Sequence, residues 1–97
     1  MKIILAAQAV EDPKGLTANI RAAARDGLET HLRHEPTKQS RSRIKRLKKL
    51  AQPQYRLRLG EVRVFYDVRE ERVEILAIVL KSEAAEWLAK YGKSDPE

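Results

Sequence analysis

The chain has 97 residues, a formal net charge of +6 and no cysteine. This length predicts a single domain with one modest core, and it excludes a deep active site between two lobes. The absence of cysteine excludes disulfides and thiolate metal sites. The apolar run at residues 3–7 is too short for a signal peptide or a membrane span, so we expect a cytoplasmic protein without a membrane partner.

The first third of the chain predicts one strand and two helical segments. Residues 2–6 are apolar enough for a strand, and Pro13 with Gly15 limits residues 7–12 to one or two helical turns. From residue 16 to about residue 32, apolar side chains recur at helical spacing and form one stripe of an amphipathic helix: Leu16, Ile20, Ala23, Ala24, Leu28 and Leu32. Pro36 ends this helix, and residues 37–42 form a polar loop. His31 and His34 lie near its end without a third ligand, so neither a metal site nor a cofactor is expected.

Residues 44–50 do not indicate one type of element. Ile44, Leu47 and Leu50 recur at every third position, which fits neither a regular strand nor a long helix. Pro53 then marks a break before the next element.

Residues 55–68 predict a β-hairpin with one apolar and one cationic face. Gly60 and Glu61 suit a two-residue type II′ turn, and counting outward gives the pairs Leu59 with Val62, Arg58 with Arg63, Leu57 with Val64, Arg56 with Phe65, and Tyr55 with Tyr66. We expect both tyrosines to lie in the core. Like charges that face each other destabilise a sheet, so the Arg58–Arg63 pair favours an anion such as phosphate over this face. We expect Asp67 to be an ion-pair partner of these arginines.

The last third predicts a strand and a helix. Residues 69–72 form a polar connection, and the apolar run 73–80 predicts a strand covered on both faces. Ser82 is the expected N-cap of a last helix in which Trp87 packs on the core, and residues 93–97 are expected to form a frayed tail. The predicted fold is therefore one α+β domain over residues 1–97: an antiparallel sheet of about four strands, two N-terminal helical segments and a short C-terminal helix.

The basic charge is concentrated in one block. Residues 38–63 carry ten basic side chains and one acidic one: Lys38, Arg41, Arg43, Lys45, Arg46, Lys48, Lys49, Arg56, Arg58 and Arg63 against Glu61. Such a block is typical of a nucleic-acid binder. The alternatives are a solvated basic surface or a patch that meets an acidic protein.

The order of elements, the run PQYRLRL at residues 53–59 and the run VRVFYDV at residues 62–68 resemble the RelE/ParE superfamily of bacterial toxins from type II toxin-antitoxin systems. The resemblance covers nearly the whole chain and is sharpest over residues 43–80. The break at Pro13 and Gly15 departs from the more regular first helix of that family.

The resemblance implies an mRNA interferase that cleaves translated message in the ribosome, and an acidic antitoxin as its partner. The basic pair of the family matches Arg56 and Arg58, its strand arginine matches Arg63, and Lys81 begins its basic motif after the last strand. We expect these four residues to be catalytic and the preceding basic residues to bind nucleic acid: Arg41, Arg43, Lys45, Arg46, Lys48 and Lys49. We also expect Arg63→Ala to leave the fold intact, because its side chain should point away from the core.

Two positions depart from the nuclease pattern of the family. Ser82 and Leu88 stand where arginine and tyrosine are expected, and an arginine pair cannot accept a proton as lysine can. The general base and acid are thus unassigned, with Glu83, Glu86 and Tyr91 as the residues to consider. Two alternatives follow: a non-enzymatic ParE-type toxin that binds DNA gyrase, or a degenerate member that binds only its antitoxin.

Overall fold

The computed structural model describes residues 1–94, which form an α+β domain as predicted. Its elements in chain order are β1 (Lys2–Leu5), α1 (Ala7–Glu11), a 3-10 turn (Asp12–Gly15), α2 (Ala18–Leu32), β2 (Ile44–Arg46), β3 (Leu50–Gln52), β4 (Tyr55–Leu59), β5 (Val62–Arg69), β6 (Arg72–Leu80), α3 (Lys81–Tyr91) and β7 (Lys93–Ser94).

The main sheet has five strands in the order β1-β6-β5-β4-β2. Strands β2, β4, β5 and β6 are antiparallel to their neighbours, whereas β1 pairs parallel to β6. The sheet is therefore mixed and not antiparallel, because the N-terminal strand pairs parallel to β6. It also has one strand more than predicted, because residues 44–46 form a strand that pairs with β4. Strands β3 and β7 form a separate two-stranded sheet.

Each face of the main sheet packs against a different helix. On the first face, α2 contributes Leu28 and Leu32 to a core with strand residues such as Val64 and Tyr66. On the second face, α3 covers Phe65 and its neighbours on β5 and β6, and the rings of Trp87 and Phe65 stack with their centroids 4.9 Å apart. Strand β6 is thus covered on both sides, and Trp87 packs on the core, both as predicted. Within residues 1–94, α3 lies over β5 and β6 and has no extensive contact with the second face of β4 and β2.

The hairpin of β4 and β5 has the predicted register at all five pairs. Gly60 has a φ of 56°, as the first position of a type II′ turn requires. The next connection is shorter than the predicted residues 69–72, because Arg69 pairs with Arg72 and only Glu70 and Glu71 form the turn. Both have positive φ, 49° and 63°, which is the geometry of a type I′ turn.

The structure confirms the helix predicted from about residue 16 as α2, but it changes the predicted start of α3. The Thr17 side chain accepts a hydrogen bond of 3.3 Å from the Ile20 N–H and caps α2. Ser82, however, is not the N-cap of α3, because the N-cap is Leu80 and the helix begins at Lys81, two residues earlier than predicted. The Lys81 N–H donates to the Glu61 carbonyl at 2.7 Å, so the hairpin turn fixes where α3 begins.

The predicted frayed tail is wrong for Lys93 and Ser94, because they pair with β3 as β7. The remainder of that predicted tail, residues 95–97, lies outside the described residues. Among residues 1–94, no helix is long and apolar enough to cross a membrane.

Candidate nucleic-acid interface

Four cationic side chains lie on the second face of the sheet, on β2, β4 and β5. The register places Lys45 opposite Arg56 and Arg58 opposite Arg63, so two pairs of like charges face each other across neighbouring strands. We call these four residues the cationic face. Side chains alternate between the two faces of a sheet, so the hairpin pattern of the sequence places Arg56, Arg58 and Arg63 on the same face.

Three members of the cationic face lack a counter-charge within the described part of the chain. Lys45 and Arg58 are exposed, and Arg56 is half-buried beside Phe65. The Arg56 Nε is buried and has no hydrogen-bond partner among residues 1–94. Within the same residues, none of the ion pairs involves these three side chains. Since facing like charges repel each other, this surface favours an anion from outside the chain.

Arg63 differs from the other three because its side chain is buried. It is only 6% exposed, and its Nη1 donates to the carbonyls of Gly60 at 2.7 Å and Val62 at 3.0 Å. Burial, followed by repulsion from Arg58 and Arg56, lowers the pKa of the Arg63 guanidinium. Arg63 therefore supports the hairpin turn, and the expectation that its side chain points away from the core is wrong.

The other basic residues divide between this face and other surfaces. Arg43 lies beside the cationic face, since its Nη1 donates to the Arg58 carbonyl at 3.2 Å. Arg46 lies on the opposite face, where its guanidinium sits 5.3 Å from the centre of the Tyr55 ring and its Nη1 donates to the Gln54 carbonyl at 2.9 Å. Arg41, Lys48 and Lys49 are exposed in the loops, and Lys81 is exposed at the start of α3 beside the hairpin turn.

The candidate acid–base residues of α3 do not meet the arginines of β4. Glu83, Glu86 and Tyr91 line a cavity of about 330 Å³ together with Asp12 on the far side of α3. That cavity lies beside β6, which is two strands away from β4. Leu88, at the position where the resemblance expects tyrosine, is half-buried in the apolar cluster around Phe65.

Two other charged side chains lie at or beside the cationic face. Lys45 is part of this face. Glu61 lies in the hairpin turn, and its negative charge partly offsets the lowering of the Arg63 pKa. Sequence reasoning missed Glu61 because it was assigned only to the turn. Its position next to Gly60 in a hairpin flanked by arginines was the available signal.

The expected ion pair between Asp67 and the cationic face is wrong. Asp67 is fully buried and accepts hydrogen bonds from the Gln54 N–H at 2.7 Å and the Gln52 side-chain amide at 2.8 Å. Its cationic neighbour is Arg69, whose Nη2 lies 3.5 Å from the carboxylate. Tyr66 is also fully buried and donates its hydroxyl to the Pro36 carbonyl at 2.6 Å. Tyr66 is therefore a core residue as predicted, and burial raises the pKa of its hydroxyl.

Together, these features define a small α+β domain with a cationic sheet face on which Lys45 and Arg58 are exposed. The sequence profile of the family described as "ParE toxin of type II toxin-antitoxin system, parDE" matches residues 3–85, and the chain therefore belongs to this family. This match confirms the predicted RelE/ParE superfamily.

One solved structure with the same fold is the RelB-RelE antitoxin-toxin complex from Methanococcus jannaschii. The chain matched in it is 18% identical, and the match covers 87% of this chain and 96% of that chain with a TM-score of 0.68. At this identity the likeness shows the fold alone. No curated protein matches the sequence.

Proposed function

We propose that this toxin acts on translated messenger RNA, whose phosphate backbone it binds with the cationic face, and that it cleaves this message slowly. The observation that carries the proposal is that Lys45, Arg56 and Arg58 have no counter-charge among the described residues, with Lys45 and Arg58 exposed and Arg56 half-buried. Guanidinium groups bind phosphate oxygens with two parallel hydrogen bonds, which suits Arg56 and Arg58 to this task.

The cationic face supports charge neutralisation better than proton transfer. Arg56 and Arg58 stay protonated, so they would stabilise the negative charge that develops on a phosphate under attack. Lys45 and Glu61 are the groups that would have to exchange protons, and Glu61 is exposed in the turn. Because neither replaces the expected tyrosine, we expect cleavage to be slower than in a toxin with the full set.

A second candidate is the non-enzymatic toxin that binds DNA gyrase. The observation that favours it is that Glu83, Glu86 and Tyr91 line a cavity beside β6, two strands away from the arginines of β4. The name of the matching family also fits this candidate. In this case the cationic face would bind the target protein and would not cut RNA.

Induction in bacterial cells separates these candidates. Primer extension on cellular messages should show new 5′ ends within coding sequence after the toxin is induced, and these ends should be lost with Arg58→Ala. Arg21→Ala is the matched control, because Arg21 is an exposed arginine of α2 on the other side of the domain. Intact messages with a DNA-damage response would support the gyrase candidate, and normal growth would support a degenerate toxin.

The proposed partner is an acidic antitoxin that folds on the toxin and covers the cationic face. Two observations support it: the block of ten basic residues against one acidic residue at positions 38–63, and the solved relative, which is an antitoxin-toxin complex. Co-expression with the product of the adjacent gene should yield a complex that resists moderate salt and restores growth. A toxin that purifies alone and stays toxic would contradict this partner.

A further inference from the structure

A cavity of about 290 Å³ lies between the end of α2 and the loop at residues 37–43. Among its lining side chains are His31, His34, Lys38, Gln39, Ser40 and Arg43. Arg43 connects it to the cationic face, because its Nη1 donates to the Arg58 carbonyl at 3.2 Å and its own carbonyl accepts the Arg58 N–H at 2.9 Å. The cavity thus places further polar and charged side chains next to Arg58.

The side-chain oxygens of Gln39 and Ser40 already accept hydrogen bonds, which leaves the donors of these two side chains for a ligand. The Gln39 Oε1 accepts the Arg46 N–H at 3.0 Å, and the Ser40 Oγ accepts the N–H groups of Arg43 at 3.1 Å and Ile44 at 3.3 Å. The amide NH₂ of Gln39 and the hydroxyl proton of Ser40 therefore remain available to donate. With the charged N–H groups of Lys38 and Arg43, these donors suit an anion with several acceptor oxygens, such as a phosphate group.

Two features of the cavity disfavour the binding of a free anion. Glu35 also lines it and pairs with Lys38 at 3.3 Å, although both side chains are mostly exposed and such a pair is weak. The end of α2 also presents the negative end of the helix dipole to this region. A phosphate that is tethered to a strand already bound at Arg58 overcomes this opposition, because tethering raises its effective concentration.

We propose that this cavity is a phosphate subsite for a nucleic-acid strand that runs from Arg58 past Arg43. The proposal rests on the proposed function, since it needs a strand on the cationic face. It adds a second contact at a defined place and names residues outside the family motif.

The test uses Gln39→Glu in the full chain. This substitution keeps an oxygen for the Arg46 N–H but replaces the amide donor with a negative charge. The control is Asn19→Asp, which adds the same charge at an exposed position in the first turn of α2. Affinity for a labelled single-stranded RNA of 12 nucleotides is measured by fluorescence anisotropy over a series of salt concentrations, with Arg58→Ala included.

Gln39→Glu should bind the RNA more weakly than Asn19→Asp, and its plot of log K against log salt should be shallower by about 0.7, the value for one lost phosphate contact on a single strand. Equal affinity and slope in these two variants would overturn the subsite, while a loss in Arg58→Ala would leave the proposed function standing. If the unsubstituted protein binds no better than Arg58→Ala, both proposals fail. If inorganic phosphate shifts the ring NMR signals of His31 and His34 while the two RNA slopes agree, the cavity takes a free ion and the strand proposal is wrong.

Discussion

Arg58 and Arg63 face each other across β4 and β5, yet they have different roles. Arg58 is exposed, whereas Arg63 is buried and bonded to the carbonyls of the hairpin turn. The alternation of the strands predicted that both lie on one face. It could not predict their burial, because that depends on where α3 begins and on how the turn folds back over Arg63.

The first prediction compares the stability of two arginine variants. Arg63→Ala removes a buried donor from the Gly60 and Val62 carbonyls, and we expect the free energy of unfolding to fall by about 1–3 kcal/mol. Arg58→Ala removes an exposed charge and should change stability by less than about 0.5 kcal/mol. Urea unfolding followed by circular dichroism measures both. If Arg63→Ala lowered the free energy of unfolding by less than about 0.5 kcal/mol, as expected for Arg58→Ala, Arg63 would have no structural role.

The second prediction concerns Asp12, whose carboxylate accepts the Ile78 N–H at 2.8 Å where β6 extends beyond β1. Burial is the largest effect on its pKa and raises it, while the hydrogen bonds from Ile78 and Gln8 oppose this shift. A raised folded pKa means that folding favours the protonated acid. The stabilisation from this group is therefore complete at low pH and is lost as the pH rises through the folded pKa.

Asp12→Asn keeps an oxygen for the Ile78 N–H and cannot ionise. We expect this variant to gain stability relative to the unsubstituted protein as the pH rises from about 3 to 7, the range in which a carboxylate with a raised pKa ionises. Asp12→Ala should lose about 1–3 kcal/mol because the Ile78 N–H loses its acceptor. Thermal unfolding across this pH range measures these differences. A difference between Asp12→Asn and the unsubstituted protein that stays constant with pH would contradict the prediction.

At the scale of elements, the β4–β5 hairpin was the most predictable part of the chain. Its turn sequence and its strict alternation fixed the register of all five pairs. The long helix α2 was also predictable, because its apolar stripe and its Thr17 cap are local features. Local signals were weaker at residues 44–52, where two strands of three residues each are defined only by their partners, β4 and β7.

The parallel pairing of β1 with β6 is a second element that local sequence did not specify. An apolar run predicts a strand, but the choice of partner depends on which sheet edge is free after β4, β5 and β6 have paired. The start of α3 is a similar case, since Lys81 bonds to the distant Glu61 and the local Ser82 signal is overridden.

The third prediction tests the hairpin turn with two glycines. Gly60 has a φ of 56° and open space around it, so Gly60→Ala should cost about 1–2 kcal/mol through backbone conformation alone. Gly15→Ala is the matched control: an added methyl group there also meets no atom within 4 Å, and Gly15 lacks a positive φ. This control should be neutral or stabilising by up to about 1 kcal/mol. Urea unfolding measures the free energy of unfolding of both variants. A Gly60→Ala protein as stable as the unsubstituted protein would contradict the assigned turn.

At the scale of the whole molecule, the cationic face and the acidic residues of α3 lie at different places on the sheet. The cationic face lies toward β2 and β4, while Glu83, Glu86 and Asp12 surround the cavity beside β6. The sequence predicted the basic block as a linear feature. It could not show that Arg46 lies on the opposite face against the Tyr55 ring, or that Glu83 and Glu86 of α3 line a cavity beside β6. Both depend on how the helices pack on the two faces of the sheet.

The most direct test of the cationic face is cleavage in a reconstituted system. Purified toxin is added to ribosomes that hold a defined message, and primer extension measures the rate of cutting for the unsubstituted protein, Arg58→Ala and Arg21→Ala. We predict cutting at the codon in the A site, a rate about a hundredfold lower with Arg58→Ala, as expected for one lost charge donor, and no change with Arg21→Ala. Cutting that is equally fast in all three proteins, or a message left intact by the unsubstituted toxin while it inhibits DNA gyrase, would contradict the account.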